Sequence, residues 1–152
     1  MRDTVSPPQS APAMPGTAGI RAGSWRVAAL VIGDLVSFVV FAAVGRRSHS
    51  EAAGLDAVGQ IARTALPFAL GWLLVSPFAG AFRRDKTSTP ARMLARTELA
   101  WLAAWPATLL LRWALADDHQ VPPSFAVVIL IANAVFLGLW RTAFSLLTRR
   151  RA

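Results

Sequence analysis

The sequence predicts an all-α fold: a four-transmembrane-helix bundle with up-down topology, preceded by a disordered N-terminal tail. Three observations lead there. The 152-residue chain is 55% hydrophobic and only 16% charged, against about 25% charged residues in an ordinary soluble domain. Its apolar residues fall into four stretches, each close to the ~20 residues that cross a bilayer core as a helix. The charge between the stretches is one-sided, with 16 basic residues, all but one of them Arg, against eight acids.

Residues 1–24 are rich in Pro, Ser, Ala and Gly and lack an apolar period. Such a segment buries too little surface to offset its ordering entropy and reads as a flexible cytoplasmic tail. A cleaved secretory signal fits worse, because a long tail precedes the first apolar run and Asp34 interrupts it. The transmembrane domain covers residues 25–147, with spans at about 25–44, 64–82, 94–115 and 124–147. Residues 148–152 form a basic cytoplasmic end. Pro67 lies near a helix start, whereas Pro77 is expected to kink the second span. In the third, the uncharged stretch Leu99–Leu111 is short unless Glu98 and Arg112 reach the interfaces. Leu55, Val58 and Ile61 recur at helical spacing, either as a short interfacial helix or as an early start of the second span.

Helices of a soluble bundle would carry a charged stripe with a 3.6-residue period, and these are apolar on every face. Orientation follows from the short connections. The tail, the second loop and the end hold three, five and four basic residues; the other side holds only Arg46, Arg47, Arg63 and Arg112. The chain therefore reads as a multi-pass protein of the cell membrane with both termini cytoplasmic. Trp25, Trp101 and Trp140 are expected near the inner interface and Trp113 near the outer one, with Trp72 and Trp105 packing between helices.

Close helix contacts need small residues, and three stripes supply them: Ala29/Gly33/Ser37, Ala100/Ala104/Thr108 and Ala134/Gly138/Thr142. Counting residues from the span edges puts Asp34 and Asn133 near the midplane, at matching depth on different helices. These two intramembrane polar candidates can satisfy one another at that depth. An Asp at a helix centre costs about 2.5–3.5 kcal/mol on insertion scales, so Asp34 should face the interior. It reads either as a proton- or cation-handling carboxylate or as a protonated structural group that locks helix register. Glu98 and Arg141 are placed at the inner interface, where they can pair or reach water separately. On the outer rim, Arg46, Arg47, His49 and Arg112 form a candidate anion site, which Asp117 and Asp118 can equally neutralise.

Gly33-Asp34, the exit Gly45-Arg46-Arg47-Ser48-His49, Ala65-Leu66-Pro67-Phe68 with Gly71-Trp72, and Arg112, Phe125 and Trp140-Arg141 resemble one family of small prokaryotic membrane proteins. It is the domain of unknown function 3054 family, and the resemblance covers about residues 25–147. It implies four transmembrane helices and a membrane location, and it transfers no catalytic residue.

The absence of Cys excludes disulfides, thiolate metal sites and Cys nucleophiles. The two His do not fall in a metal-binding spacing, and nucleotide-binding loops are absent, so neither metal nor cofactor is expected. The basic residues separate apolar blocks and do not form a nucleic-acid-binding face. The lipid bilayer is the expected partner, with anionic lipid at the basic cytoplasmic end and a second copy or another membrane protein as further candidates. Three functions compete: a non-enzymatic transporter-like or accessory membrane module, a structural or assembly partner of a membrane complex, and a membrane-embedded lipid-modifying enzyme using His49. The first leads. The enzyme ranks last: His49 has candidate neighbours in Arg46, Arg47 and Glu51, but the sequence carries no aspartate-rich phosphate–metal motif, and Asp117-Asp118 alone is a poor substitute.

Overall fold

Breaker residues between the apolar runs set the helix limits. The computed structural model describes residues 17–47, 54–116 and 119–149. They form α1 (Thr17–Arg47), α2 (Leu55–Val75), α3 (Pro90–Leu115) and α4 (Pro123–Arg149), with no strand among the described residues.

Helix α1 begins within the segment expected to be a tail. After Pro15-Gly16 no proline follows before the apolar run, so a helix nucleated there can propagate back through Ala18, Ile20 and Ala22. Residues 1–16 and 150–152 lie outside the described residues. Helix α2 starts directly after Gly54, whose φ is 69°, and Leu55, Val58 and Ile61 therefore belong to it.

Its other end departs from the expected 64–82 span. The Ser76 N–H still bonds to the Trp72 carbonyl at 2.8 Å, but Pro77 has no N–H to continue the ladder. Gly80, at φ 73°, turns the chain back, and the Ala81 N–H closes on the Ser76 carbonyl at 3.0 Å. The kink expected at Pro77 is thus a termination. Helix α3 opens on Thr89, whose hydroxyl accepts from the Arg92 N–H at 3.3 Å, with Pro90 in its first turn.

Each helix packs on its chain neighbours, and α4 closes the ring against α1. The contacts run antiparallel throughout. Trp101 donates to the Leu130 carbonyl and Trp105, one turn further along α3, to the Ala126 carbonyl, one turn back along α4. Likewise Asp34 meets Trp72 while Phe41 meets Phe68. The core contains Phe38, Phe68, Trp72, Trp101, Ile129 and Leu137. Trp101 is 1% exposed and packs against Phe38 and Trp72, so it sits in the core and not at the expected interface. Its indole N–H can be buried there because the Leu130 carbonyl accepts it.

Three segments are long and apolar enough to cross a membrane: Ser24–Gly45, Leu55–Val75 and Pro123–Arg149. Helix α3 is not among them, since Arg92, Arg96, Glu98 and Arg112 interrupt it. Ile32, Val36, Leu66, Leu70, Ile131 and Leu139 all face outward and exposed.

Candidate functional site

The apolar run of α1 brings one carboxylate, Asp34, into the bundle, where it is fully buried. A lone buried charge is prohibitively costly unless paired and hydrogen-bonded. Its partner is Arg141 on α4, also fully buried. Arg141 Nε donates to Oδ1 at 2.8 Å and Nη2 to Oδ2 at 2.5 Å, the two-pronged geometry in which guanidinium matches carboxylate. The Trp72 indole N–H adds a third bond to Oδ2, at 2.9 Å. All three partners of Asp34 are donors, which suits a carboxylate acceptor and leaves no acceptor for a protonated acid.

The remaining side of Arg141 is equally enclosed. Nη1 donates to the Ala81 carbonyl at 2.8 Å, and the guanidinium carbon lies 4.9 Å from the Trp72 ring centre and 4.8 Å from that of Phe82. Helical side chains lean toward the helix N-terminus, so Arg141 reaches back into the bundle from near the end of α4. The site thus joins α1, α2, α4 and the α2–α3 connection, and α3 supports it through Trp101 packed on Trp72.

Because α2 stops at Val75, the connection 76–89 fills the end of the bundle, with Ser76 and Ala81 fully buried and Thr87 nearly so. Irregular backbone in such a place must find hydrogen-bond partners. Arginines from three helices provide them. Arg26 on α1 donates to the Phe82 carbonyl (3.3 Å) and the Thr87 hydroxyl (2.7 Å). Arg96 on α3 donates to the Ala79 carbonyl (3.3 Å) and Arg141 on α4 to that of Ala81. Further out, the Arg83 guanidinium bonded to Asp85 holds that carboxyl below its ordinary pKa.

The other candidates lie apart from this centre. Asn133 is buried but does not meet Asp34: its amide donates to the Ile129 carbonyl at 3.1 Å, and its Oδ1 has no partner. The Asp34–Arg141 register puts Asn133 two helical turns away, about 12 Å along α4. Arg141 neither pairs with Glu98 nor reaches water, the two alternatives the sequence left open, since it is fully buried and bonded to Asp34 and Ala81. Glu98 lies in the α3–α4 groove against the bare Cα of Gly138, where a methyl group would come 2.7 Å from its Oε1. At the opposite end of the bundle, Arg112 stacks over Phe125 at 5.7 Å. Arg46 and Arg47 close α1, but their side chains, with His49, Asp117 and Asp118, lie outside the described residues. Among the described residues no group of three or more His, Asp or Glu could hold a metal ion.

The small-residue stripes do mark close approaches. Gly33 receives the Trp140 indole, and Gly71 lies against Thr108, where a Cβ would fall 3.0 Å from the Thr108 Cα.

Fold and site together define an all-α four-helix bundle with membrane-span-like helices closed around a buried ion pair. The chain belongs to the family described as protein of unknown function (DUF3054), whose model matches residues 31–144. That range contains Asp34, Trp72, Ala81 and Arg141. No curated protein and no solved structure matches the chain.

Proposed function

We propose that this protein is a small four-span integral membrane module, non-enzymatic and transporter-like, with both termini and the α2–α3 connection on the cytoplasmic side. The observation that carries the reading is the Asp34–Arg141 pair, fully enclosed by apolar helices and tied through Arg141 to the connection at the bundle end. Buried ion pairs add little net stability over an apolar core, and ionisable residues inside membrane bundles mark ion pathways by default. Helix α3 counts as the fourth span in this reading: Leu99, Leu102 and Leu110 face outward while Ala100, Ala104 and Thr108 face the core. The basic residues at the connection end support the orientation. Bilayer lipids are the surroundings, with anionic headgroups at the basic ends.

The test is proton flux into liposomes holding the purified full chain and a pH-sensitive dye, under an imposed membrane potential. Flux in the wild type that disappears in a folded, inserted Asp34→Asn variant supports the transporter-like reading. Absence of flux in the wild type favours an accessory or assembly role, performed with a second copy or another membrane protein. That second reading has its own support, because both Asp34 oxygens are occupied across three helices.

A further inference from the structure

Both oxygens of Asp34 are occupied by donors, but a second acid among the helices is not so engaged. Glu98 on α3 is half-buried in the groove between α3 and α4. Its Oε1 lies over the bare Cα of Gly138, 2.7 Å from where a methyl group would stand, and the Leu94 Cδ1 meets the same point at 3.0 Å. The carboxyl is thus folded against α4 beside an apolar side chain and does not extend to the bundle end. Gly138 lies three residues, about 4.5 Å, further from that end than Arg141.

Among the described residues, no cation or hydrogen-bond donor is bonded to Glu98. On α4, Arg141 is spent on Asp34 and Ala81, and Arg149 stands at the helix end. On α2, Asp56 and Arg63 lie at the opposite end of the bundle. In the connection, Arg83 is paired with Asp85, Arg84 is exposed and Lys86 lies beside Gly80. On α3 itself, Arg92 donates to the Ser88 hydroxyl and Arg96 to the Ala79 carbonyl, while Arg112 is at the far end. One polar atom near the groove is equally unused: Thr142 Oγ1 is buried and has no partner. Thr142 follows Gly138 by one turn on the same face, and its side chain leans back toward it. A carboxylate left without a partner in apolar surroundings neutralises by taking up a proton. A metal ion needs more ligands, and no group of three or more His, Asp or Glu is found among the described residues.

We propose that Glu98 is the proton-binding group of the bundle, protonated in the α3–α4 groove with the Thr142 hydroxyl as acceptor of its O–H. The inference rests on the transporter-like reading and deepens it: Glu98 carries the proton, while Asp34 stays ionised and balances Arg141. An Arg141 charge left unbalanced by Asp34→Asn holds Glu98 as the carboxylate, so loss of flux in that variant follows here too.

The experiment uses the purified full chain in liposomes at neutral pH. Dicyclohexylcarbodiimide partitions into the membrane and adds covalently to a protonated carboxyl there, and peptide mass spectrometry locates the adduct. Proton flux is followed in the same liposomes with an entrapped pH-sensitive dye. Glu98→Gln keeps the shape of the side chain and removes its proton. Gly138→Ala keeps the acid but fills its place; the atoms it meets are the ends of flexible side chains, so the bundle accommodates it.

The label is expected on Glu98 and to decrease as the pH is raised, with Asp34 (paired) and Asp56 and Asp85 (exposed) unmodified. Glu98→Gln should abolish both label and flux, and Gly138→Ala should lower the labelling several-fold. Label on Glu98 without wild-type flux supports the proton site and removes the transport reading. No label on Glu98, labelling that Gly138→Ala leaves unchanged, or wild-type flux that survives Glu98→Gln overturns the proposal.

Discussion

Asp34 on α1 and Arg141 on α4, 107 positions apart in the chain, meet through two N–H···O bonds of 2.8 and 2.5 Å with neither side chain exposed. The pair fixes the register of the first helix against the last. It also links the middle of the bundle to its end, because the same guanidinium holds the Ala81 carbonyl.

Trp72 supplies the third bond to Asp34 and one face of the enclosure around Arg141. Trp72→Phe keeps an aromatic face and removes the N–H. A hydrogen bond to a charged group is worth about 1.5–3 kcal/mol, so Trp72→Phe should lower stability by that amount in a denaturation series. Trp105→Phe, whose indole bonds only a carbonyl at 3.2 Å, should cost less.

Gly71 brings α2 against the backbone of α3. A methyl group there would fall 2.5 Å from Thr108 Cγ2 and 3.0 Å from the Thr108 Cα and N. A side chain can rotate away, but the backbone cannot. Gly71→Ala should destabilise by about 1–3 kcal/mol, the usual cost of overpacking. Gly59→Ala, with nothing within 4 Å of the added carbon, should be neutral or slightly stabilising by thermal unfolding.

Asn133 is buried with an unsatisfied Oδ1 and no link to Asp34. Asn133→Leu replaces this polar group with an apolar side chain of similar size. Stability should hold or rise, by up to about 1–3 kcal/mol, the desolvation penalty of one unmade bond. A loss as large as that from removing Arg141 would mean that Asn133 supports the site after all.

The four-span reading has a direct readout in topology. A periplasm-active reporter fused after residue 119 should be active, and fusions after 88 and 152 should be silent, because most basic residues then lie inside. Activity at 88 or 152 would reverse the orientation.

Four helices and the interior position of Asp34 were legible in the sequence, because apolar run length and the cost of a buried carboxylate are both local signals. The partner was not. Arg141 lies beyond the most apolar part of its run and reads as a residue that reaches water, whereas its side chain leans back into the bundle. Depth counting matched Asp34 to Asn133 because it measured one from the inner edge and the other from the outer edge of spans of unequal length, whereas the contact that forms sets Asp34 against Arg141, eight residues further along α4. The early end of α2 was half visible in Pro77. What the sequence could not display is that the connection then folds inward, so that Arg26 and Arg96 serve its backbone. One signal was available: Arg141 is the only basic residue between Phe125 and Leu147, and Asp34 the only acid between Arg26 and Val44.

Asp34 and Arg141 act as one unit, and a double-mutant cycle measures their coupling. Asp34→Asn, Arg141→Gln and the double variant are unfolded in the same detergent, and the two single losses are compared with the combined one. Each single change leaves an unpaired buried group and should cost about 3–5 kcal/mol. The double variant should cost clearly less than the two together, with an interaction energy of at least about 1.5 kcal/mol. Additive losses, within about 0.5 kcal/mol, would show that the two residues do not depend on each other.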